Sequence, residues 1–352
     1  MTQTSVRVLV VDDSAVVRGL LVRALDTDPY ITVAGTAMHG LAALEFMRKT
    51  PVDVVVLDVE MPVMDGVTAL RAILKEFHNT QVIMASSMTY EGAETTIQAL
   101  TIGAAECIAK PVAKNAADSI AQLSQQLLPL VKALGQHSTQ TAAPEKPVLV
   151  TPTTTAAIPK ILVVGASTGG PKALSSLVAG LPVDFDLPIL ITQHMPPMFT
   201  PMLAKHLEKD GGRPCCEATN GMLIERGKTY VAPGGFHMAI DRQDKRMVTV
   251  LNEEPPEHFC RPSVNFLYRS AAQWYGQSTL AVMLTGMGED GIEGARELSA
   301  VGAPIIVQDK ATSVVWGMPA AIANAGLADQ TLPLDLIPNA IQRICRQAMA
   351  VK

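Results

Sequence analysis

Two groups of residues in this 352-residue chain have the types and spacing that chemistry requires. The first is Asp12, Asp13, Asp58, Ser86 and Lys110, each at or just after the end of an apolar run. Three carboxylates gathered in one place repel one another unless a divalent cation shares them, and hard oxygen ligands suit Mg²⁺. A cation together with Lys110 would also neutralise a phosphoryl group transferred to one carboxylate, with Ser86 as a hydrogen-bonding hydroxyl. The second group lies in the other half of the chain. Residues 165–170 read GASTGG, which fits two patterns. One is a glycine-rich loop that cradles a phosphate at a helix N-terminus. The other is a G-x-S-x-G turn that exposes the Ser167 hydroxyl as a nucleophile. Such a serine needs a base, and the base needs an orienting acid. His194 in ITQHMPP and Asp290 in LTGMGEDG each follow an apolar run, so Ser167, His194 and Asp290 can meet along one sheet edge. His237 in APGGFHM is a rival base, and a helix-cap role is open to Ser167 and Asp290. These residues alone do not choose among the alternatives.

The elements that must position these groups follow from the apolar pattern. In the N-terminal part, runs at residues 6–11, 31–34, 54–57, 82–85 and 107–109 recur about every 25 residues. Between them Val16, Val17, Leu20, Leu21, Ala24 and Leu25 show i, i+3, i+4 spacing. Five strands alternating with helices read as a doubly wound (βα)5 parallel sheet, whose ligands gather beyond the carboxyl ends of the strands. In the C-terminal part, strands are expected at residues 161–164, 189–192, 229–232, 247–251, 279–284 and 305–308. Helices are expected after Pro171, Pro201, Pro262, Gly291 and Pro319. The pattern predicts a three-layer α/β/α domain with a mainly parallel sheet, and the Gly234-Gly235 pair predicts an antiparallel hairpin. Residues 136–159 are dominated by Thr, Ala and Pro and read as a linker. The expected organisation is residues 1–130, a linker over 131–159, and residues 160–352.

Composition narrows the function. Aromatics are only 4 % against 48 % hydrophobic residues, so the cores rest on aliphatic side chains, as buried parallel strands do. A net charge of −5 gives no global footprint for nucleic acid or anionic lipid, and no basic recognition helix is evident after residue 160. GASTGG lacks the third glycine of G-x-G-x-x-G and the lysine of a phosphate-binding loop, which weighs against a nucleotide-binding module. No signal-peptide pattern and no membrane-length apolar stretch is present. The five cysteines form no C-x-x-C pair, so neither a structural zinc nor a disulfide framework is expected, and a cytoplasmic setting fits.

Two resemblances sharpen this. VLVVDDSAVVR, LDVEMPVMDG and Lys110-Pro111 resemble the receiver domains of two-component response regulators over about residues 5–128. The resemblance implies Asp58 as phospho-acceptor, fed by a histidine kinase. It also implies Mg²⁺ held by Asp12, Asp13, Asp58 and the Glu60 carbonyl, with Ser86 and Lys110 supporting the phosphoryl group. Cys107 stands where many receivers carry a switching Phe or Tyr. GASTGG, QHMPPMFT, VAPGGFHM, CRPSVNFLYRSAA, LTGMGEDG and QDKATSVVWGMPAAI are similar to the catalytic domain of the chemotaxis protein-glutamate methylesterases, over about residues 160–348. That implies Ser167 as nucleophile, His194 as general base and acid, and Asp290 as orienter, with the Met287 N–H and Thr168 forming the oxyanion hole. Asn265 stands where many relatives have an acid. The implied reaction is hydrolysis of glutamate methyl esters, and deamidation of specific glutamines, on methyl-accepting chemotaxis receptors. It needs no cofactor for the esterase step and neither nucleic acid nor membrane insertion. Such receptor helices are acidic, as is this chain, so long-range attraction is expected to do little of the targeting, which falls to local cations such as Lys205, Lys209, Arg213 and Arg261 or to tethering in the receptor array.

Overall fold

A computed structural model describes residues 5–87, 90–111, 115–137, 148–149 and 157–350. Most of the expected linker therefore lies outside the described residues. The chain divides into two compact units, residues 1–141 and 142–352.

The first unit alternates strictly: β1 (Val6–Val11), α1 (Ala15–Leu25), β2 (Ile31–Ala37), α2 (Gly40–Met47), β3 (Val54–Asp58), α3 (Gly66–Glu76), β4 (Gln81–Ser86), α4 (Tyr90–Ile102), β5 (Glu106–Ala109) and α5 (Ala116–His137). The strands form one sheet in the order β2-β1-β3-β4-β5, and every described pairing is parallel. All five residues of β3 are buried, which is why it reads as an unbroken apolar run; helices on both faces leave such a strand no wet side. The chain order reverses beside β1, so the carboxyl ends of β1 and β3 open onto the crevice where ligands collect in doubly wound sheets.

The second unit contains β6 (Val148–Leu149), β7 (Ile161–Ala166), α6 (Gly170–Gly180), β8 (Ile189–Gln193), α7 (Thr200–Gly211), β9 (Cys215–Glu217), β10 (Thr229–Val231), β11 (His237–Gln243), β12 (Arg246–Asn252), α8 (Val264–Tyr275), β13 (Thr279–Met283), α9 (Ile292–Ala300), β14 (Ile305–Gln308), α10 (Met318–Asn324), β15 (Gln330–Leu332) and α11 (Ile337–Ala350). Eight strands form a sheet in the order β6-β15-β14-β13-β7-β8-β10-β9. All its pairings are parallel except that of β6 with β15. β7 is buried along its whole length. From it the chain builds β8, β10 and β9 to one side and returns to lay β13, β14 and β15 on the other.

The antiparallel hairpin exists, but not at the predicted glycines. β11 and β12 form a separate two-stranded sheet joined by Asp244 and Lys245, both with positive φ. Gly234 and Gly235 precede it for a different reason. A Cβ on Gly234 would come within 2.3 Å of the Pro197 nitrogen, so this glycine lets the segment close on the prolines that follow His194.

Candidate functional site

In the first unit, Asp12 and Asp58 are buried and Asp13 is exposed. Lys110 Nζ lies 2.8 Å from Asp12 Oδ2 and 2.7 Å from Asp58 Oδ1. Burial raises the Asp58 pKa and outweighs the opposing pull of the Lys110 ammonium. Burial lowers that of Lys110, but its hydrogen bonds to Asp12 and Asp58 more than compensate, so it stays above its ordinary value and charged. The Glu60 N–H donates to Asp58 Oδ1 at 3.3 Å, and the Ser14 N–H to Asp12 Oδ1 at 2.8 Å. Asp58 Oδ2 is buried and accepts no hydrogen bond among the described residues. One oxygen from each of Asp12, Asp13 and Asp58 falls within 4.8 Å of the others. This acidic cluster could bind a metal, and an orphaned, buried carboxylate oxygen suits a hard cation or an incoming phosphoryl group.

Three local devices hold the cluster. Arg18 Nη1 donates to the Asp12 and Asp13 carbonyls at 2.7 and 3.0 Å. Gly66 starts α3 against Asp58, where a Cβ would lie 2.0 Å from the Asp58 carbonyl oxygen. The Ser86 hydroxyl accepts from Thr96 Oγ1 of α4 at 2.8 Å, so it is engaged by that helix. Desolvation pushes the Cys107 thiol pKa up, so this residue packs as a neutral side chain of β5.

In the second unit, Ser167, His194 and Asp290 follow β7, β8 and β13, three adjacent strands of the sheet. Ser167 closes a sharp strand-to-helix turn. Gly169 has φ +76° and its Cβ would meet Val314 at 2.6 Å, while a Cβ on Gly170 would meet Gln193 Oε1 at 1.9 Å. The glycines of GASTGG are therefore there for close packing and left-handed backbone. His194 Nε2 and Asp290 Oδ2 are 2.7 Å apart. Asp290 sits at the N-terminus of α8: its Oδ2 accepts the Val264 N–H at 2.6 Å and its Oδ1 accepts the Ser263 hydroxyl at 2.6 Å. Burial alone would raise its pKa, but these bonds and His194 lower it, so the carboxylate stays ionised. Burial would likewise lower the His194 pKa, yet the bonds to Asp290 and Cys260 raise it, to about 10.

His194 Nδ1 lies 3.4 Å from Cys260 Sγ. Among the described residues that thiol, and not Ser167, is the partner of Nδ1. A thiol is a weak hydrogen-bonding group, and catalytic bonds often tighten only around substrate. Met287 lies one residue after Gly286, whose Cβ would sit 2.8 Å from Ser167 Cβ, and its N–H donates to no group among the described residues. The Thr168 carbonyl accepts from Thr285 Oγ1 at 2.9 Å. The Ser167 N–H is spent on the Thr285 carbonyl at 3.0 Å.

His237 has other partners. His237 is buried, takes the Ser263 N–H on Nδ1 at 3.1 Å, and stacks on Phe266 with centroids 3.9 Å apart. Burial lowers its pKa, and it serves as packing under the Ser263 turn. Asn265 is also buried; its Nδ2 donates to Glu293 at 2.8 Å and its Oδ1 accepts the Gly294 N–H at 2.9 Å. An acid there would face Glu293 without that donor. Arg213 cannot aid targeting from the surface, because it is only 5 % exposed and lies against Phe185. Sequence reasoning missed Gln193. It is buried, and its Nε2 donates to both the Ser167 and the His194 carbonyls at 3.0 Å, tying the two strand ends together. Its adjacency to His194 in QHMPP was the available signal.

Residues 162–341 match the family model described as CheB methylesterase, and residues 8–122 the response regulator receiver domain. The chain belongs to the CheB methylesterase family. A protein-glutamate methylesterase/protein-glutamine glutaminase 2 of Caulobacter vibrioides is 46 % identical, with the alignment covering 94 % of this chain and 96 % of the relative. A protein of the same description, numbered 1, from Rhodospirillum rubrum is 41 % identical over 94 % of this chain and 92 % of the relative. Among solved structures, the Thermotoga maritima CheB methylesterase catalytic domain matches with 39 % identity and a TM-score of 0.51, covering 54 % of this chain and 98 % of that domain. In this chain Ser167, His194 and Asp290 follow strands of a mainly parallel sheet. No helix among the described residues is long and apolar enough to cross a membrane.

Proposed function

We propose that the chain is a phosphorylation-regulated protein-glutamate methylesterase and protein-glutamine glutaminase acting on methyl-accepting chemotaxis receptors in the cytoplasm, with Ser167, His194 and Asp290 as its triad. The observation that carries the reading is the delivery of these three residues to adjacent strand ends, with His194 and Asp290 already paired at 2.7 Å. Asp290 holds the Nε2–H, which leaves Nδ1 as the basic nitrogen. On substrate binding Nδ1 exchanges the weak thiol contact for the Ser167 hydroxyl and takes its proton as Oγ attacks the ester carbonyl. The Met287 N–H, with Thr168 contributing, receives the oxyanion; one such donor is typically worth about 10²–10³ in rate. Collapse breaks the C–O bond, and methanol leaves with the proton from Nδ1. Water then gives a proton to Nδ1 as its oxygen adds to the acyl carbon; the bond from that carbon to Ser167 Oγ breaks, Oγ takes the proton back from Nδ1, and glutamate leaves. With a glutamine, ammonia leaves in place of methanol.

In the receiver unit, Asp58 is the phospho-acceptor for a histidine kinase. Mg²⁺ suits Asp12, Asp13, Asp58 and the Glu60 carbonyl, and would offset the charge of carboxylates and phosphoryl group. Lys110 holds Asp12 and Asp58 together before transfer, and Ser86 would trade its Thr96 bond for the phosphoryl oxygen. Methanol release from methylated receptor, with and without a small phosphoryl donor and Mg²⁺, tests both halves. Ser167→Ala is expected to abolish turnover, and Asp58→Asn to remove only its stimulation by the donor. Full turnover by Ser167→Ala would sink the catalytic reading.

A further inference from the structure

The peptide group that carries the Met287 N–H has the Gly286 carbonyl at its other end. That carbonyl accepts two donors, the Gly317 N–H at 3.0 Å and the Met318 N–H at 2.9 Å. The Gly286 N–H in turn donates to the Val315 carbonyl at 3.0 Å. Two donors on one carbonyl fix the peptide plane and polarise the amide, which makes its N–H a stronger donor. Residues 315–318 are therefore a brace for the oxyanion side of the site.

This brace and the nucleophile turn meet on one side chain. Thr285, just beyond β13, is fully buried. Its carbonyl takes the Ser167 N–H at 3.0 Å, and its own N–H donates to Gln308 Oε1 at 2.8 Å. Its hydroxyl accepts the Val315 N–H at 3.0 Å. The one hydroxyl proton goes to the Thr168 carbonyl at 2.9 Å, the nearer acceptor, with the Val315 carbonyl at 3.2 Å. The Thr285 methyl faces Gly169, where a Cβ would come within 3.2 Å of it. The hydroxyl thus links residue 315 to residue 168, and none of these bonds involves His194 or Asp290.

We propose that Thr285 is a positioning residue of the esterase, whose hydroxyl fixes the Ser167 turn relative to the Met287 N–H. In the ground state the substrate carbonyl makes little demand on that spacing. In the transition state the oxyanion must lie about 3 Å from its donor while its carbon is bonding to Ser167 Oγ. The contribution of Thr285 therefore falls on kcat and not on KM. A misplacement of about 1 Å in such a site costs on the order of 10² in rate. The inference rests on the esterase reading of Ser167, His194 and Asp290 and adds the side chain that sets their spacing from the oxyanion donor.

The test follows methanol release by the full chain from methylated receptor, together with inhibition by butylboronic acid. Ser167 Oγ bonds to the boron and gives its proton to His194, and the tetrahedral adduct places an oxygen where the oxyanion forms. Thr285→Val keeps the shape and removes the hydroxyl. It is expected to lower kcat by about 10- to 100-fold and to weaken the boronic acid by a similar factor, with KM within about twofold of the wild type. Thr285→Ser keeps the hydroxyl and is expected to stay within about threefold of the wild type. Thr285→Cys, a weak hydrogen-bonding group of similar size, is expected to fall between Ser and Val. The acid limb of the pH profile is expected to stay in place in all three, because the base is untouched. If Thr285→Val does not fold, the Ser and Cys variants carry the test, since kcat must follow hydrogen-bonding strength. Thr285→Val or Thr285→Cys equal to the wild type, KM rising in step with the boronic acid constant, Val more active than Ser, or a shifted acid limb would each overturn the proposal. Ser167→Ala judges the underlying reading separately. Turnover surviving there defeats the esterase reading, whereas an inactive Ser167→Ala beside a fully active Thr285→Val defeats only the role of Thr285.

Discussion

Replacing Asp290 by Asn probes the coupling on which the mechanism depends. The carboxylate Oδ2 lies 2.7 Å from His194 Nε2 and also takes the Val264 N–H at 2.6 Å; Asp290 is 1 % exposed. An amide of the same shape keeps the packing and removes the charge. A charged hydrogen bond is worth roughly 1.5–3 kcal/mol net, and a buried one sits at the upper end, which already costs about 10² in rate. If the amide turns its NH₂ toward Nε2, the imidazole must adopt the other tautomer and Nδ1 can no longer accept the serine proton; losses of this kind approach ~10⁴. We therefore expect kcat/KM to fall by roughly 10²–10⁴, with KM little changed because Asp290 is shielded from substrate. The pH profile must move as well. His194 has its pKa raised by Asp290 and Cys260, against the opposing effect of burial, and only its neutral form is a base. Activity of the wild type thus rises with pH toward that raised value. Without the Asp290 charge the histidine pKa falls, and the acid limb shifts to lower pH. The assay is methanol release across pH under kcat/KM conditions. An unmoved limb, or a loss smaller than about fivefold, would refute the role given to the carboxylate.

Three further outcomes follow from the geometry. Lys110→Ala leaves Asp12 and Asp58 buried without their cation, and should cost about 3 kcal/mol of receiver stability at neutral pH. The Asp58 pKa is already raised in the folded state, so protonation at lower pH should recover part of that loss in urea titrations. Gln193→Leu keeps the volume but strips the Ser167 and His194 carbonyls of their shared donor; kcat should fall about tenfold or more at near-constant KM, for about 1–3 kcal/mol of unsatisfied polar groups. Gly66→Ala forces a Cβ to within 2.0 Å of the Asp58 carbonyl oxygen, so phosphorylation measured with a small donor should drop sharply while unstimulated esterase activity persists.

How much of this was readable beforehand depends on the range of the interaction concerned. β3 and β7 were legible because parallel strands covered on both faces must be apolar throughout. The helix starts after Pro171, Pro201 and Pro319 were legible because proline fits a first turn. The hairpin was misplaced because Gly234 answers a packing demand from Pro197, a contact with no local signature. The preference for His194 over His237 came from family resemblance. In space it follows from one histidine meeting Asp290 while the other meets Ser263 and Phe266.

Hydrophobic period and turn chemistry act over a few neighbours, so the long buried strands and the residue types at their ends were legible from the chain alone, whereas the short or edge strands β6, β9, β11 and β15 were not. Which of those ends are adjacent depends on the folded arrangement. It set Asp290 at the N-terminus of α8, Gln193 across two carbonyls, Thr96 on Ser86, and Cys260, 66 positions from His194, on the histidine's second nitrogen. Most of these contacts join groups 26 or more positions apart in the chain, and the packing of the sheet and its helices brings them within hydrogen-bonding distance.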